Sequence, residues 1–170
     1  MARYVALVRA ANVGGTGKLP MSELKAMCAD VGFTRVETYI ASGNVIFESK
    51  LAASKVKAEL EGRLHAYAGK SIGVVVRTAA EIAAVLKNNP FPKADPRRTY
   101  AIFLDGHPQR DALDHAVGRT DEEMRLGDRE IFVHYPSGMG RSKLKIPATK
   151  PGTARNMNTV AKLAEIAANR

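Results

Sequence analysis

The stretch Thr34-Arg35-Val36-Glu37-Thr38-Tyr39-Ile40-Ala41-Ser42-Gly43-Asn44-Val45-Ile46-Phe47-Glu48 decides how the chain around it is read. β-Branched and aromatic residues fill Thr34 to Ile40 and Val45 to Glu48, and the four residues between them are small or turn-forming. This predicts two strands joined by a short turn. Upstream, Leu24, Met27, Cys28 and Val31 fall at i, i+3, i+4 and i+7, one apolar face of a helix that Gly32 ends. Before that helix, Tyr4 to Ala10 is an uninterrupted apolar run suited to a buried strand. Downstream, Val56, Leu60, Leu64 and Tyr67 mark a second helix, and Ser71 to Val76 reads as a further strand. The order is βαββαβ, that of a ferredoxin-like plait.

Thr78-Ala79-Ala80-Glu81 has the form of a capping box and starts another helix, which Asn88-Asn89-Pro90 ends. Pro90, Pro92 and Pro96 stiffen the segment beyond this helix, and a domain boundary is expected there, dividing the chain into 1–88 and 89–170. The second part begins with a strand, Tyr100 to Leu104, and Pro108 opens a helix expected to end near Val117. Glu122 to Leu126 and Glu130 to Tyr135 flank Gly127-Asp128, a hairpin signal. Pro136 to Gly152 is a long loop leading to a last helix with Thr153 as its N-cap. The expectation is an α+β protein of two ferredoxin-like (plait) domains, the second incomplete for want of its last strand.

The 170 residues are 45% hydrophobic and 25% charged, which excludes collagen-like, disordered and membrane-spanning classes. Arg3 and Arg9 bracket an apolar run too short for a signal-peptide core, and no stretch approaches a membrane span, so a soluble, cytoplasmic protein is expected. A single cysteine fits a reducing compartment. The net charge of +9 favours anionic partners without fixing any chemistry.

Asn12-Val13-Gly14-Gly15-Thr16-Gly17-Lys18 stands between a strand and a helix, where phosphate-binding loops sit. It departs from the nucleotide-binding pattern at Asn12 and Leu19, and from the dinucleotide pattern at Pro20. It offers backbone N–H groups and the charge of Lys18, either for an anion or as a surface turn. The turn Ser42-Gly43-Asn44 lies at one end of the same sheet, at a distance from that loop that strand order leaves open. From Ile131 to Ala164 the chain carries Arg141, Lys143, Lys145, Lys150, Arg155 and Lys162 and no acid, a basic loop or an anion site. Arg155, Asn158, Thr159 and Lys162 are expected on one polar face of the last helix. Met157, Val160, Leu163, Ala164 and Ala167 are expected on its buried face.

The familiar catalytic sets are missing. Cys28 sits on an apolar stripe, and His65, His107, His115 and His134 lack metal-ligand spacing, so no metal site is expected. No cofactor is identified.

Four segments, Tyr4 to Gly15, Lys18-Leu19-Pro20-Met21, Tyr39 to Val45 and Thr153 to Val160, together resemble a family of bacterial proteins catalogued as domain of unknown function 1697. The resemblance implies two plait-like domains and no established activity. Members are similar in carrying Trp where this chain has Met157. The shared residues are mostly polar or Gly, in loops or at a helix start, where packing rarely demands one identity. Arg9, Asn12, Gly14, Gly15, Lys18, Ser42, Asn44, Arg155, Asn158 and Thr159 are therefore the candidate ligand-binding residues. The leading expectation is binding of a phosphate-bearing ligand or nucleic acid at a basic cleft between the domains. The alternatives are that these residues are structural glue, or that the protein is an enzyme on a small anionic metabolite.

Overall fold

The computed structural model describes residues 1–9 and 18–169 of the chain. Its described residues form two four-stranded antiparallel sheets and four α-helices, an α+β architecture. The chain divides into two compact units, Met1–Ile82 with Leu163–Arg170, and Ala83–Lys162.

In the first unit, β1 (Ala2–Val8), α1 (Met21–Asp30), β2 (Thr34–Tyr39), β3 (Asn44–Ser49), α2 (Ala53–Ala68) and β4 (Val74–Thr78) give the sheet order β2-β3-β1-β4. Central strand β1 pairs with β3, Tyr4 opposite Phe47, and with β4, Val5 opposite Arg77. Tyr4, Ala6 and Val8 join Val45, Phe47, Val74 and Val76 on the face that packs against Leu24, Met27 and Cys28 of α1 and Val56, Leu60 and Leu64 of α2. Val5 and Leu7 point to the opposite face and are buried as well, which accounts for the unbroken apolar run. The rings of Phe33 and Phe47 stack with centroids 4.3 Å apart. Burial pushes the Cys28 thiol up to about 12, so it packs as a small hydrophobe. Tyr67, expected on the apolar face of α2, is exposed.

Strand β4 starts later than Ser71 and runs on through Arg77 and Thr78, and α3 (Ala79–Lys87) comes directly after it. The capping box forms: the Thr78 N–H donates to Glu81 Oε1 at 2.8 Å, and the Glu81 N–H to Thr78 Oγ1 at 3.2 Å.

The second unit contains β5 (Thr99–Phe103), β6 (Glu123–Leu126), β7 (Glu130–His134) and β8 (Thr153–Asn156), ordered β6-β7-β5-β8. The hairpin predicted around Gly127-Asp128 is β6–β7, closed by Gly127 N–H donating to the Glu130 carbonyl at 2.8 Å.

Two expectations for this unit are corrected. The sheet is not missing its last strand: Thr153–Asn156 pairs antiparallel with β5, Phe103 opposite Thr153 and Ala101 opposite Arg155. These four residues lack a strand pattern of their own. The ladder to β5, whose paired residues lie 50 to 56 positions away, defines them. Consequently Thr153 caps nothing, and α4 (Met157–Ala168) starts after Asn156, whose Oδ1 accepts the Thr159 N–H at 2.9 Å. The helix expected from Pro108 to Val117 is only a 3-10 turn, Ala112–His115. Its apolar residues, Ala112 and Leu113, are too few to bury a second turn.

Irregular chain therefore covers the Ile102 face of this sheet, and two devices fix it. The backbones of Val117 and Lys145 exchange hydrogen bonds of 2.9 and 2.8 Å. Next to them Gly118 has φ +75°, and a Cβ there would lie 2.2 Å from the Lys143 carbonyl oxygen. The second device is the buried Glu122 carboxylate, which accepts from the Ser142 hydroxyl and from the Thr120 N–H at 2.7 Å. These bonds, the Ser142 one foremost, pull its pKa down to about 2. Among the described residues, no helix is long and apolar enough to cross a membrane.

Both devices can be tested by substitution. Gly118→Ala meets both a positive φ and a backbone atom, and should lower stability by ~2 kcal/mol or more in chemical denaturation. Glu122, whose folded pKa is depressed, contributes stability that is complete above its unfolded pKa near 4.5 and is lost as pH falls toward 2. Glu122→Gln should flatten that acid limb of the stability–pH curve, and an unchanged limb would count against the role given to this carboxylate.

Candidate functional site

Strand pairing places the exit of β1 relative to the β2–β3 turn. The Val8 N–H donates to the Gly43 carbonyl at 2.8 Å and the Arg9 N–H to the Gly73 carbonyl at 2.9 Å. The exit of β1, the β2–β3 turn and the approach to β4 therefore meet at one end of the first sheet. Arg9, Ser42 and Asn44 are together there. Asn44 is fully buried opposite Leu7, and its amide donates to the Tyr39 carbonyl at 2.9 Å and to Ser42 Oγ at 2.8 Å. Gly43 takes φ +85°, which its lack of a Cβ permits, and so lets its carbonyl face β1. Arg9 is exposed, with its stem over Gly73, where a Cβ would stand 3.8 Å from Arg9 Cδ. Lys18 is exposed ahead of α1. Asn12, Gly14 and Gly15 lie outside the described residues.

The other candidates belong to the second unit, at the junction of β8 and α4. Arg155 is a strand residue, so it does not share a helix face with Asn158 and Thr159 as expected. It is 6% exposed, and Nη1 donates to Thr153 Oγ1 at 2.6 Å and to the Ala154 carbonyl at 2.9 Å. Burial pulls its pKa down to about 10, which leaves the cation intact at neutral pH. Thr159 is buried, and Asn158 faces solvent. Met157, Val160, Leu163 and Ala167 form the buried face of α4, and Ala164 is half-buried. Arg141, Lys143, Lys145, Lys150 and Lys162 are exposed, so Arg155 is the one buried cation of the basic segment.

Sequence reasoning passed over Arg77. It is the largest fully buried side chain described, with Nη1 on the Val76 carbonyl at 3.2 Å. Its position repeats that of Arg155. Each arginine is on the fourth strand of its sheet, bonds the carbonyl of the preceding residue, and comes just before the residue that caps the next helix, Thr78 or Asn156. Tyr4 lies opposite Thr78 and Tyr100 opposite Asn156, so the repeat keeps register. The signal in the chain was a lone charge at the end of Val74-Val75-Val76, directly before a capping box.

Among the described residues no three His, Cys, Asp or Glu side chains are grouped to hold a metal ion. The His107–Asp128 and His115–Asp111 pairs are exposed.

A family model described as "Protein of unknown function (DUF1697)" matches residues 1–132. The chain belongs to this family. The structure of conserved bacterial protein SP0830 from Streptococcus pneumoniae is similar to it, with a TM-score of 0.80 and 27% sequence identity over 98% of each chain. That similarity extends beyond the DUF1697 match through β8 and α4. No curated protein matches the chain.

Within the DUF1697 architecture, Asn44 has a measurable structural duty. Asn44→Ala removes a fully buried amide and its two hydrogen bonds across the turn, and should cost about 1–3 kcal/mol in thermal or urea unfolding, more than Ser42→Ala.

Proposed function

We propose that this DUF1697 protein binds a phosphate-bearing ligand at the end of its first sheet, where β1, the β2–β3 turn and the approach to β4 converge. The observation that carries the reading is the pair of backbone bonds from Val8 to Gly43 and from Arg9 to Gly73, which holds exposed Arg9 beside that turn. Arg9 and Lys18 bracket the glycine-rich segment 12–17, so a cation precedes it and another comes after it. In this reading the two side chains supply charge, Gly14 and Gly15 supply N–H donors, and Asn12 and Ser42 orient the anion. Asn44 supports the ligand site only as scaffold, since its amide is engaged by Tyr39 and Ser42, and Arg155 and Thr159 belong to the second unit and are no part of this site. Asn158 is an exposed position outside that scaffold.

The strand order β2-β3-β1-β4, with α1 and α2 packed on one face, supports a ferredoxin-like plait for the first unit. The order β6-β7-β5-β8 supports a second plait whose crossover helices are reduced to 3-10 turns.

A structural role for all the shared motif residues is the second reading, favoured by the same burial of Asn44 and Arg155. A thermal-shift panel of pyrophosphate, nucleotides and short oligonucleotides at low and high salt separates the two. A bound ligand at about a hundred times its Kd should add roughly 2.7 kcal/mol of stability, and Arg9→Ala should remove that gain. A steep loss with salt would mark a polyanion such as nucleic acid. No shift with any of these compounds would leave the structural reading standing.

A further inference from the structure

Irregular cover on the Ile102 face of the second sheet leaves a cavity of about 460 Å³, within the range of small-molecule sites. Ile102, Leu144 and Ile146 give it apolar walls, and Val117, itself 60% exposed, also lines it. Tyr135 lines the same cavity and is only 8% exposed. Its ring meets Tyr100 edge-on at 5.6 Å, its N–H donates to the Arg98 carbonyl, and its carbonyl accepts from the Gly138 N–H. Its hydroxyl has no hydrogen-bond partner among the described residues. The ring is held by its packing while the hydroxyl keeps some accessible surface, so it is available as a donor to a molecule in the cavity.

The charge around the cavity gives the ligand its sign. Lys145 and Lys150 line it, and no carboxylate does. Burial, with Tyr100 and Glu122 adding to it, pushes the Tyr135 hydroxyl up to about 12, so it is a donor at neutral pH.

We propose that this cavity binds an organic carboxylate with an apolar body, the Tyr135 hydroxyl donating to the carboxylate and Lys145 and Lys150 balancing its charge. The aliphatic walls take the body of the ligand. Every residue of this site belongs to the second unit, so it shares no residue with the phosphate site proposed on the first.

Octanoate is a suitable probe, with 1-octanol and octylamine as controls of equal length and different charge, each read by amide NMR of the full chain. Octanoate should shift the amides of Val117, of Leu144 to Ile146 and of Ala148 to Lys150 in a saturable way and bind at least about tenfold tighter than either control. Tyr135→Phe keeps the ring and should weaken octanoate about tenfold while leaving octanol unchanged. Lys145→Met, an exposed change, should weaken octanoate as well, and decides the matter if Tyr135→Phe disturbs the fold. Equal binding of the three probes, shifts confined to other parts of the chain, or octanoate binding indifferent to Lys145→Met would each overturn the proposal.

Discussion

Each sheet is built on a central strand that has to satisfy both edges and both faces. β1 pairs with β3 and β4, and β5 pairs with β7 and β8, so neither has an N–H row open to water. Residues on both faces are buried too: Val5 and Leu7 beside Tyr4, Ala6 and Val8, and Ala101 and Phe103 beside Ile102. Such a strand tolerates no polar side chain along its middle and leaves the polar work to its ends and neighbours. The polar side chains of interest are accordingly found where strands stop, at Arg9, at Ser42 to Asn44, and at Arg155 and Asn156.

That constraint also explains how much could be read from residues alone. The first unit was legible because its elements carry local signatures: an unbroken apolar strand, two helices with apolar stripes, a turn of small residues, and a Thr–Glu capping box. The second was legible in its first strand, its hairpin and the apolar face of its last helix, and not elsewhere. β8 is four residues defined by a partner far away in sequence, and the segment after Pro108 holds too little apolar surface for the helix that its proline suggested. The pairing that brings Arg9 next to the β2–β3 turn is likewise long-range, and no spacing along the chain announces it.

The candidate site divides by solvation in a way that residue type does not disclose. Asn44, Arg155 and Thr159 looked like ligand-reading groups because they are polar and sit at loops or helix starts. The side chains of Asn44 and Arg155 are engaged with groups of their own unit, and the Thr159 N–H is taken up by Asn156. A buried amide or guanidinium is as demanding of a fixed identity as a binding site is, because an unmet donor in a dry place costs more than its bond returns in water. The register-matched pair Arg77 and Arg155 makes the same point twice, once per sheet.

The order in which the strands leave the ribosome gives β8 a consequence of its own. β5 emerges with Tyr100-Ala101-Ile102-Phe103, and its β8 edge stays uncovered until Thr153 to Asn156 have been made, 50 positions after Phe103. During that interval the nascent chain presents a bare apolar edge, the surface on which chains add to one another and aggregate. A chain cut short before Thr153 would keep most of its core residues and never close that edge.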